Sequence, residues 1–268
     1  MFSARWIVII TYVVMIVANV ISSTSNLFNH TNNTHISNEN PTTLTPDGIT
    51  FSVWGPIYLF EFALVIYQSW PNTTFFNQQQ RLWIALSFIL NAAWLPVFAY
   101  EYWWLSLFII CGYWSTLTKA YQTLNIDYAN QNNIKDKCCA YTGISLNLAW
   151  VTVATLLNIT IVFRNSKIVF TESNNTIIGG NPDWAVACIV AAFAIATYRI
   201  VLTADIIYAG ATAWALFGIY RKQTDIQTTW AFIGAICLLS FSFIRFITCF
   251  KKNKSNNISN QLTQHLNV

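Results

Sequence analysis

Eight apolar stretches dictate what this chain can become. They cover residues 5–21, 49–70, 81–100, 103–121, 139–162, 183–202, 205–220 and 228–247, with polar breaks between them. Each is close to the ~20 residues that a helix needs to cross a hydrocarbon core about 30 Å thick. Inside lipid every backbone amide must be paired within the protein, which leaves helices or closed barrels, and these uninterrupted runs lack the two-residue alternation of barrel strands. With 9% of the 268 residues charged and 55% hydrophobic, no single water-facing globule could cover the apolar excess. The sequence therefore predicts an all-α integral membrane protein. The sixth and seventh stretches are the weakest of the eight, because Arg199, Thr203 and Asp205 crowd their junction.

Lys and Arg are retained on the cytoplasmic side of a membrane. With eight spans, ten of the fourteen basic residues collect on one face and four on the other, which places both termini in the cytosol. The outer loops then carry sequons at Asn29, Asn32 and Asn174, acceptors for glycosylation in a secretory-pathway lumen. A secretory-pathway or plasma membrane fits this better than a mitochondrial one. Further sequons at Asn72, Asn253 and Asn257 fall on the cytosolic face, where glycosylation does not occur. The net charge of +4 is what cytosolic anchoring produces and indicates no nucleic-acid partner. The six cysteines lie inside spans or at their cytosolic ends, so no disulfide framework is indicated. Cys138, Cys139 and Cys249 are placed either for palmitoylation at the membrane edge or as plain thiols.

Loops are short except for 22–48, 125–137, 164–182 and the tail, and none can hold a soluble catalytic domain. The Asn/Thr-rich run 26–45 has the composition of a locally disordered segment. Only Glu101 and Tyr102 separate the third span from the fourth, which makes these two a tight antiparallel hairpin. The chain has no P-loop, GxSxG, HExxH or CxxC motif, and its histidines, His30, His35 and His265, lie in loops or the tail. No catalytic residue, metal ligand or required cofactor is therefore expected.

Twelve tryptophans divide by depth. Trp6, Trp70, Trp83, Trp103, Trp104, Trp184 and Trp230 sit near span ends, where an amphipathic indole prefers the headgroup level. Trp54, Trp94, Trp114, Trp150 and Trp214 lie deeper, where an indole N–H needs a partner or a polar cavity. Two of these belong to near-identical pentapeptides, Leu90-Asn91-Ala92-Ala93-Trp94 and Leu146-Asn147-Leu148-Ala149-Trp150. At the helical rise the two amides lie about 15 and 12 Å from the cytosolic ends of parallel spans, at similar depth. Glu61, on the oppositely directed second span, also falls near the midplane, and Phe51, Trp54 and Tyr58 lead to it at spacings of three and four. Polar groups at this depth are costly and mark either a clamp between helices or a binding site.

These residues resemble the TspO/MBR family of tryptophan-rich sensory proteins and translocator or peripheral benzodiazepine receptor proteins. The family's second helix has a proline-led approach, a Phe, a Val-Trp and a Tyr, matched by Pro46, Phe51, Val53, Trp54 and Tyr58. Its third helix has an Asn and a Trp three apart before a Pro and a Phe, as in Asn91, Trp94, Pro96 and Phe98. Its fifth has a Trp and an Ala-containing run ending in Leu-Asn, as in Trp150 to Asn158. The first span corresponds to the family's first helix and is therefore retained rather than cleaved as a signal peptide.

The resemblance implies a TspO-like five-helix core over residues 1–163, an outer loop over 164–182, about three additional transmembrane helices over 183–250 and a cytosolic tail over 251–268. It also implies a pocket for a flat lipophilic ligand, a porphyrin or similar, formed by Phe51, Trp54, Tyr58, Glu61, Asn91, Trp94, Asn147 and Trp150. Sensing or transport would be its purpose, the partners would be the lipid bilayer and the small ligand, and a homodimer fits the same plan. Two alternatives are a proton-coupled carrier in which Glu61 titrates and a seven-span receptor that has lost its first helix. The first loop lacks the family's Trp and paired prolines, and Phe163 stands where the sterol-recognition pattern has Tyr, so sterol binding by that pattern is not expected.

Overall fold

The computed structural model describes residues 4–24, 33–70, 75–131, 133–168 and 177–266, and every regular element among them is helical. The chain runs through α1 (Ala4–Thr24), α2 (Asn33–Glu39), a 3-10 turn (Gly48–Val53), α3 (Trp54–Ser69), α4 (Gln78–Ala99) and α5 (Trp103–Thr123). A short α6 (Ile134–Asp136) and a π turn (Lys137–Tyr141) lead into α7 (Thr142–Asn165), and a second 3-10 turn (Ile178–Gly180) precedes α8 (Pro182–Thr203), α9 (Ile206–Lys222) and α10 (Ile226–Leu266). Eight long helices thus stand at the eight expected stretches, and the protein is an all-α integral membrane protein. Among the described residues, six segments are long and apolar enough to cross a membrane: 4–22, 48–69, 78–99, 134–165, 182–203 and 226–249. The other two are α5, which carries Lys119 and several Trp, Tyr and Thr residues, and α9, which has only 17 residues. The expected glycosylation acceptors Asn29, Asn32 and Asn174 lie outside the described residues.

Local chemistry sets the helix ends. Asn77 and Gln80 form a reciprocal capping box at the start of α4, at 2.9 and 2.8 Å, and Gln80 Nε2 also donates to the Thr123 carbonyl at the end of α5. The α4–α5 connection is the tight hairpin expected, with Glu101 held at φ 60°. At the α8–α9 junction Ala204 turns left-handed at φ 52°, and Asp205 caps α9 by accepting from Tyr208 N at 2.9 Å. The crowding read there as weakness is a buried knot: the Asp205 carboxylate also accepts from Tyr121 at 2.9 Å and Ser145 at 2.8 Å, and the Arg199 guanidinium lies 4.2 Å over the Tyr121 ring. This knot ties the C-terminal helices to α5 and α7. Gly143 brings α7 against the α3 backbone, where an added Cβ would lie 3.0 Å from Glu61 N. Gly218 admits Thr50, whose Oγ1 would be 1.9 Å from such a Cβ, and so seats the first 3-10 turn on α9.

Two expectations are corrected. The Asn/Thr-rich run is ordered from Asn33 onward, because Ile36 and Leu44 are buried anchors and the polar residues around them find partners. Thr43 N bonds the Gly179 carbonyl, Asp47 N bonds the Gly218 carbonyl, Gln223 Nε2 donates to the Thr42 and Thr45 carbonyls, and Arg221 pairs with Asp47 at 3.3 Å. The last helix continues through the expected tail to Leu266, since neither Pro nor Gly follows Gly234 to stop it. The six cysteines are free; Cys138 is exposed and Cys188 buried.

Candidate functional site

The eight residues singled out in the sequence fall into two adjoining but different groups. Tyr58, Glu61, Asn91 and Asn147 belong to a buried polar layer. Its hydrogen bonds run from Tyr58 OH to Asn19 Oδ1 (2.5 Å), from Asn19 Nδ2 to Asn91 Oδ1 (2.9 Å) and from Asn91 Nδ2 to Tyr113 OH (3.1 Å). They continue from Tyr113 OH to Asn147 Oδ1 (2.8 Å) and from Asn147 Nδ2 to Glu61 Oε1 (2.5 Å). Six side chains from α1, α3, α4, α5 and α7 are thereby linked in one chain, and Tyr12 extends it by donating to the Tyr58 carbonyl at 2.9 Å. The paired Asn-x-x-Trp motifs meet here: both amides reach the single hydroxyl of Tyr113, one from each side.

Phe51, Trp54, Trp94 and Trp150 form the second group, an aromatic cleft completed by Ser37, Phe98, Ala154, Leu157, Asn158 and Ile161. The Trp150 ring receives the edges of Phe51 at 5.7 Å and Trp54 at 6.0 Å, while Trp94 stacks on Phe98 at 4.6 Å. Residues 150, 154, 157, 158 and 161 follow the three- and four-residue spacing that lines one face of α7. The cleft holds about 390 Å3 of unfilled space with its mouth included, but voids that a water could fill come to only about 30 Å3. Most of that space lies in gaps between the rings too narrow for a water. Tyr58 joins the two groups, since its hydroxyl ends the polar chain and its ring stacks on Trp54 at 5.5 Å.

Hydrogen bonding separates the deep tryptophans that pack from those that remain open. Trp114 Nε1 donates to Thr152 Oγ1 at 2.9 Å and Trp214 Nε1 to the Thr50 carbonyl at 3.0 Å. Trp184, placed by its sequence position in the interfacial belt, also reaches inward, to Thr160 Oγ1 at 3.0 Å. The indole nitrogens of Trp94 and Trp150 are buried with no partner, and so is Asn158 Oδ1, whose Nδ2 is engaged by Ser106 at 2.8 Å. All three of these unpaired groups belong to residues lining the cleft. A buried unpaired polar group costs about 1–3 kcal/mol, so three beside one cavity mark a place suited to a polar ligand edge.

The family model described as TSPO-like protein matches residues 5–248. The chain belongs to the TSPO-like family. Comparisons with curated proteins and with solved structures returned no match. The family match continues past residue 163, so membership takes in α8, α9 and most of α10 as well as the five-helix part. In this TSPO-like chain, sequence reading missed Asn19 and Tyr113, without which the polar layer would not close. Asn19 had a visible signal, an amide deep in the first apolar run; Tyr113 had none that distinguished it from other aromatics in α5. Ser37 was hidden by its loop composition, and Asn158 was visible as the residue two helical turns after Trp150.

Proposed function

We propose that this TSPO-like membrane protein binds a flat, mainly apolar ligand of porphyrin type in the aromatic cleft, for sensing or transport and without chemical conversion. The observation that carries this reading is that Trp94, Trp150 and Asn158 all line one mainly apolar cleft while the two indole N–H groups and the Asn158 carbonyl are buried without a partner. A ligand with a hydrogen-bond acceptor on one edge and a donor nearby would satisfy all three while its faces meet Phe51, Trp54 and Phe98. Because the rings nearly fill the cleft, the ligand enters by replacing ring–ring contacts, and α2, which places Ser37 at the cleft, moves aside. Both termini are cytosolic in this reading, in a secretory-pathway or plasma membrane. Protoporphyrin quenching of tryptophan fluorescence tests it: saturable quenching that weakens in Trp150→Phe is expected, and nonsaturable quenching identical in both proteins would overturn it.

A second reading, proton-coupled transport, is favoured by one separate observation. Glu61 is fully buried, and its Oε2 has no partner while Oε1 accepts from Asn147. A lone carboxylate is expensive at this depth, so a neutral acid that exchanges its proton during transport suits the site. Tyr12, Tyr58 and Tyr113 are the ionisable groups that share its surroundings. Uptake into proteoliposomes should then depend on pH in the native protein and lose that dependence in Glu61→Gln; pH-independent uptake in both would remove this reading. The receptor alternative needs α1 removed, which would delete Asn19 and Tyr12 from the polar layer.

A further inference from the structure

A larger cavity lies away from the aromatic cleft, at the end of the bundle that the distribution of Lys and Arg in the sequence assigns to the cytosol. Tyr128, Ile134, Lys137, Ala204, Ile206, Arg245, Phe246 and Cys249 line it. It contains about 730 Å3 of unfilled space with its mouth included, and voids that a water could fill amount to about 270 Å3, against about 30 Å3 in the cleft. Two cations, Lys137 and Arg245, line it, and neither is in an ion pair among the described residues. Among the described residues the only ion pairs are His35–Glu39 and Arg221–Asp47.

The nearby carboxylates are all committed elsewhere. Asp127 accepts from Ala129 N and Asn130, Asp136 from Tyr67 OH at 2.6 Å, and Asp205 from Tyr121, Ser145 and Tyr208 N. Arg245 Nη2 donates to the Val201 carbonyl at 3.3 Å, while its Nε is buried without a partner. The residues that follow, 250–268, contain Lys251, Lys252 and Lys254 and no acid. A cavity of this size, lined by two cations that have no ion-pair partner among the described residues, suits an anion.

The walls say which kind of anion. Ile134, Ile206 and Phe246 are apolar, and Val201, Leu202 and Phe243, close to Ala204, Ile206 and Phe246 in the chain, are exposed. These three present a greasy surface where a bilayer would meet the bundle. We propose that this cavity is a binding site for an anionic phospholipid, whose phosphate sits between Lys137 and Arg245 and whose acyl chains run along α8 and α10. A basic pocket between helices at the membrane edge recognises such headgroups by charge, while the adjoining apolar face keeps the chains in the bilayer. This site is independent of ligand binding in the aromatic cleft.

The test uses the full chain in detergent micelles, titrated with dioleoyl phosphatidylglycerol or dioleoyl phosphatidylcholine, with bound lipid counted by native mass spectrometry. Saturable retention of the phosphatidylglycerol and little retention of the phosphatidylcholine is expected. Combining Lys137→Gln with Arg245→Gln should weaken the anionic lipid by about 25-fold, from about 5-fold per lost cation. Replacing Lys251, Lys252 and Lys254 by Gln should leave the retention in place. Arg245→Lys, which keeps the charge, should retain more lipid than Arg245→Gln, and melting curves with and without lipid separate loss of binding from loss of fold. Equal retention of both lipids, unchanged retention in the double variant, or displacement by millimolar inorganic phosphate would overturn the assignment to a phospholipid.

Discussion

The polar layer and the aromatic cleft meet at Tyr58 and are both buried among the same helices, yet they end in opposite hydrogen-bonding states. In the layer, Asn19, Asn91, Tyr113 and Asn147 use one another completely enough that five helices are tied together, with only Glu61 Oε2 left over. In the cleft, Trp94, Trp150 and Asn158 are just as buried and leave three polar atoms unpaired within one small region. A satisfied network fixes the bundle, and an unsatisfied one beside space awaits a partner. The contrast underlies the proposed division of roles, clamping by the first region and ligand binding by the second, and it can be broken from either side.

The largest effect should come from Asn147→Leu, which leaves Glu61 and Tyr113 without their shared partner. Each orphaned buried group costs about 1–3 kcal/mol. The thermal midpoint in detergent should fall by several degrees or more, and a melt matching the native protein would show that the layer does not clamp the helices. Next is Gly218→Val. Its side chain collides with Thr50, and overpacking of this kind costs about 1–3 kcal/mol. Because Thr50 belongs to the same 3-10 turn as Phe51, and Trp54 follows directly, ligand binding and stability should drop together; a loss of stability alone would separate the turn from the cleft.

Trp150→Phe is the sharper test. It keeps a ring and removes an N–H that has no partner in the unliganded protein, so the melt should move little while porphyrin affinity falls about 5- to 10-fold, the worth of one hydrogen bond. Trp114→Phe reverses the outcome. It removes the bond to Thr152, so stability should fall by about 0.5–1.5 kcal/mol with porphyrin affinity unchanged. If both variants behaved alike in the two measurements, the distinction between packing and open tryptophans would collapse.

Several features were legible because single-residue chemistry decides them. The hairpin between α4 and α5 follows from two intervening residues, and the depth of Asn91, Asn147 and Glu61 follows from counting along a helix of known rise. The 33–45 segment was misread, since an Asn/Thr-rich composition says nothing about whether neighbouring helix ends offer bonding partners. Here the Gly179 carbonyl and Gln223 do, as the Gly218 carbonyl and Arg221 do for the adjoining Asp47, and all of them come from more than a hundred residues away in the chain. The same holds for the α8–α9 junction, where three polar residues looked disruptive until Tyr121 and Ser145 supplied their partners.

By itself the sequence determined the membrane class, the eight helices and the depth at which each costly polar group would lie, because hydrophobic length and helical rise are properties of the chain alone. Only the tertiary structure decided which of those groups are paired. Tyr113 stands between Asn91 and Asn147 and pairs both amides, whereas the indole nitrogens of Trp94 and Trp150 find no acceptor among the described residues. Hydrogen bonds reach about 3 Å and depend on direction, so pairing is set by how five separate helices rotate against each other, which no stretch of sequence records.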